Sequence, residues 1–291
     1  MIEHLRDALT ATGLVGTGQP LYFNIYTGRT CVVQVFVDDR LGFVAKLGKP
    51  GSVEPEYRTT ARTAAALGDL VPEPLLFQRT DSLEIAIWRG VEHMPIDPRR
   101  WSRRQVSAVR HGLALYMERG LSGLSVDDHV PPHASTLDQA LTRVRAALPH
   151  LDGFLPDGLA GGDAINRLPH VWQHGDFWYG NLGLCGNSLV VFDWEDFGEV
   201  TLHGHDIAVF LASTLNFAPR TVKILFDTGK PSYLDGIISD FCRPLGMDRE
   251  DFVRLFPAFL VVFLDLKLQR DYGGLVIRLM ADLLEGLHRH R

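Results

Sequence analysis

The sequence has few cysteines, no basic block and no apolar run long enough to cross a bilayer. Cys31, Cys185 and Cys242 are the only thiols among 291 residues. They are odd in number, far apart and without CxxC spacing. That excludes a disulfide framework and a zinc cluster and points to a reducing, cytoplasmic compartment. Lys and Arg together number 29 against 35 Asp and Glu, a net charge of −6, and the basic residues are scattered. Nucleic acid is therefore not an expected partner. The most apolar run, Leu255 to Leu264, is ten residues long and contains Pro257. A spanning helix needs about 20 apolar residues, so no membrane partner is expected. The opening MIEHLRDALTATG lacks the apolar core of a signal segment. What is present is ordinary: 46% hydrophobic and 22% charged residues, with enough length for one large domain or two smaller ones. Nothing in the composition sets an oligomeric state.

Strand signals crowd the first ninety residues. A short amphipathic helix over 2–12 carries Ile2, Leu5 and Leu9 on one stripe. LYFNIY (21–26), CVVQVFV (31–37) and GFVAKL (42–47) follow, separated by Thr27-Gly28-Arg29 and Asp38-Asp39-Arg40. These read as three antiparallel strands. A helix is expected from Ser52, as its cap, to Leu67, with Pro55 in the first turn. LLFQR (75–79) and LEIAIW (83–88) make a hairpin, and RGVEHMPIDP (89–98) reads as a linker.

Helical patterns take over after it. Val106, Val109, Leu113 and Tyr116 share a stripe behind Ser102 as N-cap, and Leu137, Leu141, Val144 and Leu148 form another. Loops are expected over 127–132 and 153–162. Asp206 begins a later helix, the Phe252–Phe263 helix holds Pro257 as a kink, and 275–287 closes the chain. The fold class is thus α+β: a small antiparallel-sheet lobe at 1–90, a hinge at 91–97 and a larger, mostly helical lobe at 98–291.

Everything turns on residues 174–199, HGDFWYGNLGLCGNSLVVFDWEDFGE. Gly186-Asn187 between NLGLC and SLVVF is a two-residue hairpin signal. Such a turn sets Asn181 nearly opposite Phe192 and Asp193, and opposed side chains on paired strands lie about 5 Å apart. Asp176 sits on the loop feeding the open end. Three oxygen-bearing side chains, Asp176, Asn181 and Asp193, are expected to converge, and such ligands suit Mg²⁺ carried by a nucleotide. Elsewhere the pattern leaves alternatives open. By alternation Lys46 shares a face with Val44 rather than with Phe43, Ala45 and Leu47, which is equally the pattern of a solvent-facing lysine. Glu56 is the helix carboxylate best placed to turn towards the strands, or else it only complements the helix dipole. His203 and His205 form an HxH pair, which is too few ligands for a metal site.

The ordered set His174, Asp176, Asn181 and the following Asp193-Trp194 resembles the catalytic segment of the aminoglycoside phosphotransferase and choline kinase group. That resemblance implies a two-lobed protein-kinase-like fold and transfer of the γ-phosphoryl of ATP or GTP, with Mg²⁺, to a hydroxyl of an aminoglycoside-like, sugar or amino-alcohol acceptor. It implies Asp176 as catalytic base, and Asn181 and Asp193 as metal ligands. Lys46 would sit on the phosphates, with Glu56 fixing it. The segment IWRGV, with Ile87, Trp88 and Gly90, is the expected place for backbone bonds to the base. His174 and Asp206 are implied as supports of the loop. Trp178, Glu195 and Asp196 are candidate acceptor-site residues, with Glu199, Asp265 and Asp271 as further acidic groups for a cationic acceptor. Trp178 and Tyr179 either stack on the acceptor or pack the loop.

The chain departs from the group in two places: its first hairpin has only Gly28 beside Arg29, and Gly183 stands where a bulky residue usually floors the adenine, implying a roomier pocket. HGDFW is similar also to fructosamine kinases, and a catalytically silent kinase-like binding protein is the reading from a different class.

Overall fold

The structure is a computed structural model that describes residues 1–28, 30–126, 131–155, 162–219, 233–270 and 274–289. Arg29, Asp271 and parts of the loops expected over 127–132 and 153–162 lie outside the described residues. Two compact units emerge, one made of Met1–Met94 with Gly183–Glu195, the other of Pro95–Leu182 with Asp196–Arg291.

The first unit is built on a five-stranded sheet in the order β1-β2-β3-β5-β4: β1 (Leu21–Thr27), β2 (Cys31–Val37), β3 (Arg40–Gly48), β4 (Pro74–Arg79) and β5 (Glu84–Arg89). All its pairings are antiparallel. Period-two alternation divides its faces. Val33, Val35, Phe43, Ala45, Leu47, Ile85 and Ile87 bury one face beneath Leu5 and Leu9 of helix α1 (Ile2–Ala11). On the other face Ala86 and Trp88 pack with Val53, Tyr57 and Phe77. Lys46, paired with Val32 and Ala86 across the ladder, belongs to this second face.

Helix α2 covers Glu54–Leu67, two residues shorter than expected at its start. Ser52 is not its cap: the Ser52 hydroxyl donates to Lys49 O at 2.6 Å, and Val53 occupies the N-cap position. The capping group comes from across the sheet. The fully buried Glu84 carboxylate of β5 accepts from the N–H groups of Gly51 (2.6 Å), Val53 (2.8 Å) and Glu54 (3.1 Å) and is paired with Arg79. Orphan donors at a helix start need such an acceptor. Burial opposes the Glu84 charge, yet these backbone N–H bonds outweigh it and hold the carboxyl down at about 2. A short strand β6 (Met94–Pro95) and the hairpin of β7 (Leu182–Cys185) and β8 (Ser188–Val191) form a second sheet. Its turn is Gly186-Asn187, with Gly186 at φ +62°.

The second unit is helical. Its longer helices are α3 (Arg103–Gly123), α4 (His133–Ala147), α6 (His205–Thr214), α7 (Tyr233–Cys242), α8 (Arg249–Gln269) and α9 (Gly274–Arg289), with a single-turn α5 (Gly162–Asn166). Ser102 caps α3 as expected, in a reciprocal capping box with Gln105. Helix α8 runs through Pro257 as one element and packs against α4, α6, α7 and α9. Phe210, Phe241, Phe252, Phe256, Phe259 and Phe263 fill the interior, each fully buried. Helix α6 is buried on all sides. No helix among the described residues is long and apolar enough to cross a membrane.

Candidate active site

In the first unit the strand face chosen by alternation brings Lys46 to Glu56. Lys46 Nζ lies 2.6 Å from Glu56 Oε1 and 3.5 Å from Asp193 Oδ1. Glu56 reaches this position because Glu84 anchors the first turn of α2. Burial disfavours the Lys46 ammonium, but the charges of Glu56 and then Asp193 outweigh it and raise its pKa. Burial likewise raises the Glu56 carboxyl, against the attraction of Lys46. Asp193 adopts a left-handed backbone, φ +61°, rare for a residue with a side chain. The turn is pinned by the buried Trp194, whose Nε1 donates to Val191 O at 3.1 Å. The Asp193 side chain remains 47% exposed. An observed backbone outlier bearing an accessible carboxylate is the kind of strain that functional sites store.

The expected base-reading segment is largely engaged within the unit. The Ile87 side chain is in the core, Trp88 packs on Tyr57, and Gly90 donates its N–H to Gly42 O at 2.8 Å. A side chain at Gly90 would strike Leu41 O at 2.6 Å, which explains the glycine. Gly183 does not leave a roomier pocket. A Cβ there would lie 2.4 Å from His93 Cδ2, so the imidazole fills that space, and it packs on Phe192 with ring centroids 4.5 Å apart.

The second unit holds the other part of the sequence signature. Gly175, φ +85°, has no room for a side chain because Asp196 O would be 2.6 Å away. Asp206 fastens the loop from below, accepting from His174 N (2.7 Å), Gly175 N (3.0 Å) and the Tyr116 hydroxyl (2.5 Å). Burial, and then the Asp206 charge, push the Tyr116 phenol well above its usual pKa. His174 accepts from Asp176 N at 3.2 Å through Nδ1, and the ring of His205 donates to Gly175 O at 3.3 Å. His174 and Asp206 thus hold the loop and present no reactive group. Asn181 Nδ2 donates to Asp176 O (2.9 Å) and Oδ2 (3.4 Å).

The group the sequence reading missed is Lys267. It sits in α8 just after the most apolar run of the sequence, is 2% exposed, and places Nζ 2.9 Å from Asp176 Oδ1 and 3.0 Å from Asp196 Oδ2. The only local signal was a lysine inside FLVVFLDLKL, a run otherwise destined for the core. Asp196, expected to read a cationic acceptor, is itself 2% exposed and is held by Lys267 and, at 3.3 Å, by Arg270. It cannot serve an acceptor. Glu199 is tied to Arg270, and Asp265 makes a two-pronged pair with Arg143 at 2.8 and 2.7 Å. Beside Asp176 and Lys267 opens a cavity of about 390 Å³, to which Trp178, Tyr179, Ser213 and Phe263 contribute.

The oxygen donors fit a magnesium ion. Mg²⁺ is usually held by one or two carboxylates together with substrate phosphates rather than by an all-protein cage. The exposed carboxylate of Asp193 in the sheet unit and the carboxamide of Asn181 in the helical unit are each, taken singly, oxygen donors of that chemical kind. Among the described residues no group of three or more His, Cys, Asp or Glu gathers as a metal site, and burial pushes His203 of the HxH pair down to about 4.

A sheet-based unit carrying Lys46, Glu56 and Asp193, and a helical unit carrying Asp176 and Asn181, define an α+β protein-kinase-like fold. Solved structures with this fold cover nearly the whole chain. A choline/ethanolamine kinase family protein from Mesorhizobium loti aligns with 100% of this chain and 94% of its own, at 16% identity and a TM-score of 0.57. A macrolide 2′-phosphotransferase from Brachybacterium faecium covers 96% of this chain and 97% of its own, at 17% identity and a TM-score of 0.56. An aminoglycoside phosphotransferase solved in a ternary complex with ADP and hygromycin B covers 98% and 97%, at 13% identity and a TM-score of 0.55. At these identities the likeness shows the fold, and it is the fold that the His174–Trp194 segment implied. No family model and no curated protein sequence matches the chain.

Proposed function

We propose that this protein is a small-molecule kinase that transfers the γ-phosphoryl group of Mg·ATP or Mg·GTP to a hydroxyl of an acceptor held beside Asp176. The observation that carries this reading is the Asp176 carboxylate, fixed by Asn181 and Lys267 at the edge of a 390 Å³ cavity. Similar solved structures are named as kinases and phosphotransferases of small molecules, one of them with bound ADP, which supports the same reading.

Phosphoryl transfer asks chiefly for positioning and charge neutralisation. Asp176 accepts a hydrogen bond from the acceptor hydroxyl, aims its oxygen at the γ-phosphorus and takes its proton as the new P–O bond forms and the bond from the γ-phosphorus to the β–γ bridging oxygen breaks, the nucleoside diphosphate leaving with that electron pair. Asn181 steadies that carboxylate through its carboxamide N–H groups and, with Asp193, would hold the metal. Held there with the nucleotide, a magnesium ion would neutralise charge on its phosphates. Lys46 binds phosphate oxygens, and Glu56 fixes the lysine. Lys267 is a positioning residue: it holds Oδ1 of Asp176, and Oδ2, which accepts from Asn181 at 3.4 Å, has a second lone pair for the acceptor hydroxyl. The aminoglycoside-like, sugar and amino-alcohol scope implied by the sequence gives the first acceptors to try.

The test is nucleotide consumption by the purified protein with Mg·ATP or Mg·GTP across such acceptors. Turnover is expected only with a hydroxylated acceptor. Nucleotide binding is expected to survive Asp176→Asn while turnover does not. Undiminished turnover in that variant overturns the assignment of Asp176.

A further inference from the structure

The carboxylates near the cavity are already committed to cations of the protein. Lys267 pairs with both Asp176 and Asp196, Arg270 lies 3.3 Å from Asp196, and Arg143 pairs with Asp265. Among the described residues lining the cavity Asp176 is the only acidic one, and it shares the Lys267 ammonium with Asp196. A polycation entering here would leave its hydration shell and meet, among the described lining residues, only a carboxylate that already holds an ammonium, an unfavourable exchange in an apolar site.

The walls point the other way. Seven of the eleven lining residues are aromatic or aliphatic, and the first turns of α9 supply three of them, Leu275, Val276 and Leu279. Leu275 is 62% and Trp178 37% exposed, so large apolar side chains stand in solvent at the cavity. Exposed apolar surface lining a concavity marks a binding site. Asn216 and Phe217, also lining residues, have φ of +53° and +51°. Two successive side-chain-bearing residues in the left-handed region are strained. Here that strain carries the chain from α6 into the cavity wall. The volume falls in the range of about 300–1,000 Å³ typical of pockets for small organic ligands.

Resting on the kinase reading above, we infer that the acceptor is an uncharged alcohol with a substantial apolar ring or alkyl body, and that polycationic aminoglycosides are excluded. The apolar body packs among Trp178, Phe217, Phe263 and the α9 side chains. The hydroxyl meets Asp176, with Ser213 and Asn216 as the remaining polar lining.

Calorimetry in the presence of Mg·ADP tests this with glucose, phenyl β-glucoside, octyl β-glucoside, choline and kanamycin. Nucleotide binding is measured first and separately. Its absence sinks the underlying kinase reading, whereas a wrong acceptor class leaves it intact. The apolar glucosides are expected to bind at least about tenfold more tightly than glucose, and kanamycin to give no heat of binding. Leu275→Asp, at an exposed position that tolerates a charge in folding, is expected to abolish the preference for the apolar glucosides. Kanamycin or choline binding as tightly as the best apolar glucoside overturns the inference. So does an apolar panel no better than glucose, or a preference that survives Leu275→Asp.

Discussion

Both units place a lysine against two carboxylates, and the two arrangements differ in what they leave open. In the sheet unit, Lys46 meets Glu56 at 2.6 Å and Asp193 at 3.5 Å, and Asp193 keeps nearly half its side chain in solvent. In the helical unit, Lys267 and Asp196 are both 2% exposed, and Asp176 is bound to the same ammonium at 2.9 Å. The first arrangement suits a group that must receive a ligand's charge. The second suits a carboxylate whose position must be fixed before the ligand arrives. A buried charge is tolerated only when paired, and Lys267 is paired twice. The contrast supports the proposed roles of Lys46 in binding and of Lys267 in positioning.

The largest effect that could break this contrast is on turnover. Asp176→Asn removes the proton acceptor while preserving its shape, and kcat is expected to fall by about 10²–10⁴. Binding of Mg·ADP, measured by calorimetry, should change little. Next comes Lys267→Met, which keeps the stem but leaves Asp176 and Asp196 without their cation. Removing one partner of a buried pair costs about 3–5 kcal/mol, read as a drop in unfolding midpoint. Adding Asp196→Asn should recover part of that stability without recovering turnover. Full stability in the single variant would show that Lys267 does not hold the two buried carboxylates in place. Lys46→Met, by contrast, should raise the nucleotide KM and lower kcat, with a smaller fall in the unfolding midpoint than Lys267→Met because Lys46 and Glu56 keep 18% and 15% of their side chains exposed.

Glu84 offers a test by pH. Its folded pKa, about 2, lies below the ordinary glutamate value of 4.5. A depressed carboxylate contributes stability that is present above the unfolded pKa and lost as pH falls through the folded one. The shift corresponds to about 3 kcal/mol near neutrality. Glu84→Gln should therefore be less stable than the parent at pH 7, and the gap should shrink from pH 4.5 towards about 2. A gap independent of pH would contradict the carboxylate's role as the cap of α2. The smallest effect is expected from Gly183→Ala, which must push His93 aside. A change of about 0.5–1 kcal/mol, two- to fivefold in nucleotide KM with kcat constant, would place the imidazole beside the base.

Much of this was legible locally. Alternation put Lys46 on the face opposite Phe43, Ala45 and Leu47, and a residue's face depends only on its strand neighbours. Gly186-Asn187 specified the hairpin because few residue pairs tolerate its backbone. Ser102 with Gln105 marked the start of α3 for a similarly local reason. The misses share a cause. Ser52 looked like a cap, but the acceptor that satisfies α2 is Glu84, thirty residues later in another strand. Gly183 looked like a vacancy, but His93 arrives from a separate segment to fill it. Asp196 looked available beside Asp193, yet the backbone turn between them commits it to Lys267 and Arg270.

The sequence by itself determined the strand and helix order, the loop of His174–Asn181 and the residue types phosphoryl transfer requires. Those rest on backbone preference and on short-range spacing. Only the tertiary structure decided which charges remain free, because pairing across the fold depends on which distant helix brings its cation near. Lys267 and Arg270, on and just past the end of α8, pair with Asp176, Asp196 and Glu199 and offset most of that cluster's charge. The apolar lining of the cavity was decided in the same way, by residues of four separate segments that no sequence period connects.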